Sequence, residues 1–107
     1  MNPHSLPRAL EKQLRQLQTR QGRKKADTFI CEGLRCSREA LRFCLDGVLA
    51  VIIDETISDL PEIPPELPMY RISQKLFGEL AQTESPQGVL LLCRRPSPPK
   101  PEDAAFP

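Results

Sequence analysis

The amino-acid sequence predicts an α/β fold, a three-layer α/β/α sandwich built on a four-stranded mixed sheet. Two observations carry most of that reading. Val48-Leu49-Ala50-Val51-Ile52-Ile53 and Val89-Leu90-Leu91-Leu92-Cys93 are apolar without alternation, the mark of strands covered on both faces. Helical patterns lie between them, and two shorter extended segments, Thr28–Cys31 and Met69–Ile72, bring the strand count to four. The order α-β-α-β-loop-β-α-β then implies a central, partly parallel sheet with helices on both sides.

Each element has a local reason. Leu6, Leu10, Leu14 and Leu17 recur at helical spacing, so a first helix is expected over residues 5–19, with Ser5 as its cap and Pro7 tolerated in its first turn. Gln21-Gly22-Arg23-Lys24-Lys25 is expected to end it, Gly22 serving as a left-handed cap. A second helix is expected from Leu34 to Asp46. Cys36, Ser37, Ala40, Leu41, Cys44 and Leu45 fall on one side of it, and Arg35, Arg38 and Arg42 on the other. Ser73 caps a third helix through Thr83, with Ile72 and Phe77 at the positions of a hydrophobic staple. The acidic, proline-rich stretch 54–68 reads as an irregular connection. The expected domain covers residues 1–94, and 95–107, holding Pro96, Pro98, Pro99 and Pro101, reads as an extended linker.

Size and composition narrow the function. At 107 residues the chain fits one domain with one core. No apolar run reaches the roughly 20 residues that span a bilayer, and the basic, polar start lacks the apolar core of a secretory signal. Cys31, Cys36, Cys44 and Cys93 contain no C-x-x-C pair and His4 is the single histidine, so no metal site is expected. Each cysteine lies in an apolar stretch, where a free buried thiol is the expected state, and the chain reads as cytoplasmic. Most of Phe29, Phe43, Tyr70, Phe77 and Phe106 fit the core pattern, so base-stacking platforms are not evident.

Catalytic signals are absent from the sequence. No glycine-rich phosphate cradle and no nucleophile elbow occurs, and no histidine is placed to serve a nucleophile. Asp54 and Glu55 stand at a strand end where α/β folds often bind ligands, but an exposed acidic loop explains them. Charge is more informative. The net charge is +1, yet residues 8–25 carry seven bases and one acid, and residues 46–66 carry six acids and no base. A polyanion would prefer the first of these regions. Arg20, Arg23, Lys24 and Lys25 form the densest group, able to neutralise phosphates and release counterions. Arg8, Lys12 and Arg15 are expected at the same end. Glu32-Gly33-Leu34-Arg35 brings a further base and a glycine to the next junction, and Ser85-Pro86-Gln87-Gly88 adds an amide side chain and backbone donors. Arg35 to Glu39 and Arg42 to Asp46 are i, i+4 pairs, so that helix face also fits a salt-bridged solvent surface.

Leu17-Gln18-Thr19-Arg20-Gln21-Gly22-Arg23-Lys24-Lys25, Phe29-Ile30-Cys31-Glu32-Gly33, Tyr70-Arg71-Ile72-Ser73 with Leu76-Phe77, and Thr83-Glu84-Ser85-Pro86-Gln87-Gly88-Val89 occur in an order that resembles the amino-terminal substrate-binding domain of SpoU/TrmH-family RNA 2′-O-ribose methyltransferases. The likeness spans residues 14–94. It implies the α/β/α fold of kink-turn-binding ribosomal proteins and a role in holding structured RNA, rRNA or tRNA. Carried over by position, Arg23, Lys24, Lys25, Glu32, Gly33, Gln87 and Gly88 are implied to face RNA, beside Arg20 and Arg35; the other reading of Glu32 is that it orders its loop without touching RNA. The resemblance implies no catalytic residue and no cofactor in this chain. S-adenosylmethionine and the transfer itself belong to a knotted carboxy-terminal methyltransferase domain, whose Asn-x-Gly, Arg-Thr-Ala and Glu-x-x-Gly motifs do not follow here, so the chain is expected to be a domain of a larger enzyme. A protein-interaction domain or a stand-alone structured-RNA binder is the alternative.

Overall fold

A computed structural model describes residues 6–95. The expected cap Ser5, the proline-rich stretch 96–107 and Phe106 lie outside the described residues. The elements run α1 (Arg8–Gln16), α2 (Arg20–Lys25), β1 (Thr28–Glu32), α3 (Leu34–Phe43), a 3₁₀ turn (Leu45–Gly47), β2 (Val48–Asp54), β3 (Met69–Ile72), α4 (Gln74–Leu80) and β4 (Val89–Arg94). The four strands form one sheet in the order β1-β4-β2-β3. β4 is antiparallel to both β1 and β2, while β3 runs parallel to β2. The sheet is therefore mixed, as the sequence predicts.

The two continuous apolar runs occupy the middle of that sheet, and their residues separate by parity into two cores. Ala50, Ile52, Leu90 and Leu92 face one side, where Leu14 and Leu17 arrive from the first helix and its end, and Phe77 and Leu80 from α4. Val51, Ile53, Val89, Leu91 and Cys93 face the other, covered by Leu41 of α3 and flanked by Leu60, Ile63 and Leu67. The acidic, proline-rich loop is thus part of the second layer, lending it three apolar side chains. Ser73 accepts a hydrogen bond from the Leu76 N–H and caps α4, and Ile72 and Phe77 meet in the first core, as a hydrophobic staple requires.

Four local expectations change. The first helix, expected over 5–19, ends at Gln16, and the turn expected to close it is itself a helix, α2, which the Thr19 hydroxyl caps by accepting from the Gly22 N–H. Gly22 is not a left-handed cap, since positive φ occurs only at Gly33 and Gly88 among the described residues. It lies inside α2 where a β-carbon would run into the Gln16 carbonyl. α3 stops at Phe43 and α4 at Leu80, each shorter than the side-chain pattern suggested. Half of the described aromatic side chains are not core: Phe77 is 1% exposed and Tyr70 packs against the first core, but Phe29 is 38% and Phe43 72% exposed. Phe43 lies at the last position of α3, past the stripe that faces the sheet, and the Arg42 guanidinium stacks over its ring at 5.1 Å.

The cysteines differ as well. Cys31 and Cys36 are joined as a disulfide, while Cys44 is free and exposed and Cys93 free and buried. The apolar surroundings that suggested four thiols did not reveal that β1, one turn and the first turn of α3 fold back on each other within five residues.

Truncating Phe77 to Ala removes the central side chain of the first core and is expected to cost about 3–5 kcal/mol. The same change at exposed Phe43 should stay within about 0.5 kcal/mol. Urea denaturation of the two variants measures both.

Candidate nucleic-acid interface

The turns singled out in the sequence gather along the β1 side of the sheet, and hydrogen bonds between distant residues fix them there. Gly33 has φ 101° and Gly88 φ 92°, backbone that a β-carbon disfavours. These conformations let β1 turn sharply into α3 and let the 85–88 turn enter β4 beside it. The Gly33 N–H donates to the Val89 carbonyl, and the Asp54 N–H donates to the Gly88 carbonyl. The end of β1, the start of β4 and the end of β2 thus form one rim. Gly88 is buried, and Ile57 occupies the space that a β-carbon there would need.

Two residues expected to face RNA also hold this rim together. The Gln87 Oε1 accepts from the Leu34 N–H at 2.7 Å, satisfying a free donor of the first turn of α3, where Gly33 offers no side-chain cap. The Glu32 carboxylate accepts from the Gln82 N–H at 2.7 Å and from the Thr83 hydroxyl. The loop-ordering reading of Glu32 is the one its hydrogen bonds support. Gln82 then passes the connection on, donating through Nε2 to the Leu17 carbonyl at 2.9 Å.

That same Leu17 carbonyl accepts from Arg23 Nη1 at 3.2 Å, and the Gln18 carbonyl accepts from Arg23 at 3.0 Å. Arg23 therefore closes the open end of α1, a position where a cation also meets the negative end of the helix dipole. The basic turn and the Glu32 rim meet around one backbone oxygen. From there α2 leads to the start of β1. Lys24 and Lys25 consequently stand near the opposite end of β1, roughly 14 Å from Glu32 at about 3.4 Å per residue.

Arg20, Lys24 and Lys25 are exposed, and no ion pair engages them among the described residues. Arg35 is exposed on the other side of the rim and lies only loosely beside Glu39, at 3.8 Å. Arg94 and Arg95 join the basic group, although sequence reasoning did not single them out. Arg94 stands opposite Thr28 in the β1–β4 register, and Arg95 donates from its side chain to the Arg23 carbonyl and from its backbone to Asp27. The signal was an Arg-Arg pair directly after an apolar strand, which acquires meaning only once that strand is paired with β1.

Other expected cations drop out. Arg15 binds Glu11 at 2.9 Å and Glu79 at 3.0 Å, and these carboxylates push its pKa further upward. Arg38 faces Asp59 at 3.9 Å, while Arg42 lies on Phe43 rather than pairing with Asp46. Asp54 orders the turn that follows β2, its Oδ1 accepting from both the backbone N–H and the hydroxyl of Thr56.

With this geometry in place, comparison with known proteins is decisive. The profile of the MRM3-like substrate binding domain matches residues 11–91. The chain belongs to this family. It is 30% identical over 89 residues to the 23S rRNA (guanosine(2553)-2′-O)-methyltransferase RlmP of Bacillus subtilis, covering 79% of this chain and 34% of that protein. Among solved structures, a TrmH-family protein from Porphyromonas gingivalis superposes with a TM-score of 0.69 at 19% identity, over 90% of this chain and 38% of that one. The SpoU methyltransferase AviRb from Streptomyces viridochromogenes, solved with AdoMet, gives 0.58 at 19% identity, over 85% and 37%. The chain thus spans about a third of the curated relative it matches. The likeness to the substrate-binding domains of SpoU/TrmH enzymes and the α/β fold it implied both hold.

Removing the amide cap by Gln87→Ala is expected to cost about 1 kcal/mol and to speed hydrogen exchange at the Leu34 amide, measured by urea titration and NMR. Burial, with a smaller contribution from Cys44, pushes the Cys93 thiol from 9.0 up to about 11. The protonated form is favoured in the fold, so the resulting stability is fully present below pH 9 and is lost as pH rises towards 11. Cys93→Ala should flatten that part of the stability–pH curve relative to the parent, and Cys44 should alkylate well before Cys93 at neutral pH.

Proposed function

We propose that this domain grips structured RNA, rRNA in the first instance, and presents it to an S-adenosylmethionine-dependent 2′-O-ribose methyltransferase domain, without catalysing the transfer itself. The observation that carries the reading is the cluster of exposed, unpaired cations Arg20, Lys24 and Lys25, adjoined by Arg94 and Arg95, on a fold of the substrate-binding family. Membership supports the role, and the named activity of the Bacillus relative supports rRNA as the substrate class. An rRNA substrate would place the protein in the cytoplasm. The described helices include none long and apolar enough to cross a membrane.

The chemistry divides by residue. Arg20, Lys24 and Lys25 act on phosphates, for which long exposed cations suffice. Arg35 extends the grip past the rim, where a guanidinium can take a phosphate in bidentate fashion. Gly33 gives the β1–α3 junction its positive φ, and the Gln87 amide packs where a β-carbon there would point. Glu32, Arg23, Gln87 and Gly88 shape that junction rather than touch the ligand. Recognition of this kind reads shape and phosphate position more than base edges. The proposed domain ends where Arg95 is still tied to Asp27, and the proline-rich stretch beyond it would serve as a spacer to the catalytic domain.

Binding to a folded rRNA fragment is expected to weaken with salt, with a log–log slope of roughly −2 to −3 for three or four neutralised phosphates. Changing Arg20, Lys24 and Lys25 together to Ala should flatten the slope to roughly −1, the share left to Arg35 and its neighbours, read by fluorescence anisotropy over a salt series. A slope unchanged in that variant overturns the assignment of this surface.

A further inference from the structure

Cys31, Cys36, Cys44 and Cys93 all line one groove between α3 and the β1–β4 edge, yet they are not equivalent. Cys31 is buried at 5% exposure near the end of β1. Cys36 is exposed in the first turn of α3, the positive end of the helix, where a thiolate is favoured over one in apolar surroundings. Their Cα atoms are 6.1 Å apart, inside the span a disulfide can bridge. Cys44 lies beyond the far end of α3, about 12 Å along the axis from Cys36 at 1.5 Å per residue. Cys93 is buried and held as a protonated thiol.

The residues that the Cys31–Cys36 bond encloses are the ones that matter to the interface. Glu32, Gly33, Leu34 and Arg35 lie between the two sulfurs; besides the packing of Leu34 against the second core, they are held by polar contacts, Gly33 to the Val89 carbonyl, Leu34 to Gln87, and Glu32 to Gln82 and Thr83. Arg35 itself makes only the loose approach to Glu39. A covalent tie across this loop restricts the alternatives open to it when those hydrogen bonds break.

We propose that Cys31 and Cys36 form a reversible thiol–disulfide couple, set by a small-molecule disulfide of the glutathione class, whose oxidised state holds the Glu32–Arg35 loop in its RNA-presenting form. The RNA part of this inference rests on the function proposed above. In the forward direction the Cys36 thiolate attacks one sulfur of the small disulfide and expels one glutathione thiolate, which takes up the proton Cys36 released. Cys31 then loses its proton and attacks Sγ of Cys36 in the mixed disulfide, forming the intramolecular bond and expelling the second glutathione. Two protein thiols surrender two electrons and two protons, and one glutathione disulfide becomes two thiols. Reduction runs the same steps backward. The exposed Cys36 is the point of entry and the buried Cys31 the resolving partner.

The test uses the full chain equilibrated in mixtures of reduced and oxidised glutathione. Alkylation and mass spectrometry locate the disulfide, amide hydrogen exchange follows Leu34 and Ser37, and binding to the folded rRNA fragment follows function. Expected is a single Cys31–Cys36 bond in oxidising mixtures, with Cys44 and Cys93 still thiols. Reduction should speed exchange at Leu34 and weaken RNA binding by roughly fivefold, the size expected when a few loop side chains must be ordered on binding. Cys36→Ser, a change at an exposed site, should match the reduced parent in every mixture. Recovery of Cys36 only as a glutathione adduct or bonded to Cys44 overturns the couple. So does an intramolecular bond whose reduction changes neither exchange nor RNA affinity. If reduction loosens the loop but neither state binds RNA, the couple stands as a conformational device and the RNA-binding reading falls.

Discussion

β2 and β4 bury side chains on both of their faces, and nearly every other feature of the domain is arranged around that requirement. Val51, Ile52, Ile53, Val89, Leu90 and Leu91 are fully buried, so the pair needs a cover on each side and a neighbouring strand along each edge. α1 and α4 with the end of the first helix supply one cover, α3 with the proline-rich loop the other, and β1 and β3 complete the edges. The scale of the effect is large. Fully burying one such aliphatic side chain contributes about 1.5–3 kcal/mol, whereas an exposed ion pair such as Arg15 with Glu11 and Glu79 is screened by solvent and adds little. Exposed charges such as Arg20, Lys24 and Lys25, which no ion pair engages among the described residues, are therefore not needed to hold the fold, and their placement can follow function.

The sheet fixes where the interface can be. β4 enters from the 85–88 turn and leaves at Arg94, so its two ends bring Gln87 to the Glu32 rim and Arg94 to the basic group at the start of β1. Around the Leu17 carbonyl, Arg23 and Gln82 join these regions into one hydrogen-bonded frame. Burying an acid such as Glu32 beside a phosphate-binding surface would be unfavourable if its charge faced the ligand. Its oxygens point instead at Gln82 and Thr83, so under the proposed function the acid is occupied within its own loop.

Much of this was legible in the sequence, and the parts that were not share a cause. Continuous apolar runs identify two-faced strands because burial acts on every residue. Ser73 with Ile72 and Phe77 announces a helix start because capping is local. α2 was hidden because Gly22 serves a close approach to Gln16, a contact set by how α1 and α2 meet rather than by the turn itself. Glu32 and Gln87 were found as important positions, but their partners lie 50 and 53 residues away, so sequence could locate them and not assign their roles. Arg94 and Arg95 were passed over for the same reason, since register across a sheet is not a local property. The Cys31–Cys36 bond escaped notice because a spacing of five residues is compatible with a disulfide only for one particular strand-turn-helix path.

The two halves of the interface differ in the kind of recognition they can supply. Arg20, Lys24 and Lys25 are exposed point charges, and their attraction to RNA is screened within about 8 Å at physiological ionic strength. They can raise the encounter rate and the general affinity, but a mobile side chain carries little information about where a particular ribose lies. The Glu32–Arg35 rim is different in kind, being backbone held by Gln87, Val89 and Gln82 at the end of the buried sheet. A methyl transfer to one 2′-hydroxyl demands placement to a fraction of an ångström, and only the rigid rim can contribute to that. Under the proposed function, then, the lysines decide how often RNA arrives, and the glycine-built rim, with whatever sets its order, decides whether it arrives in register.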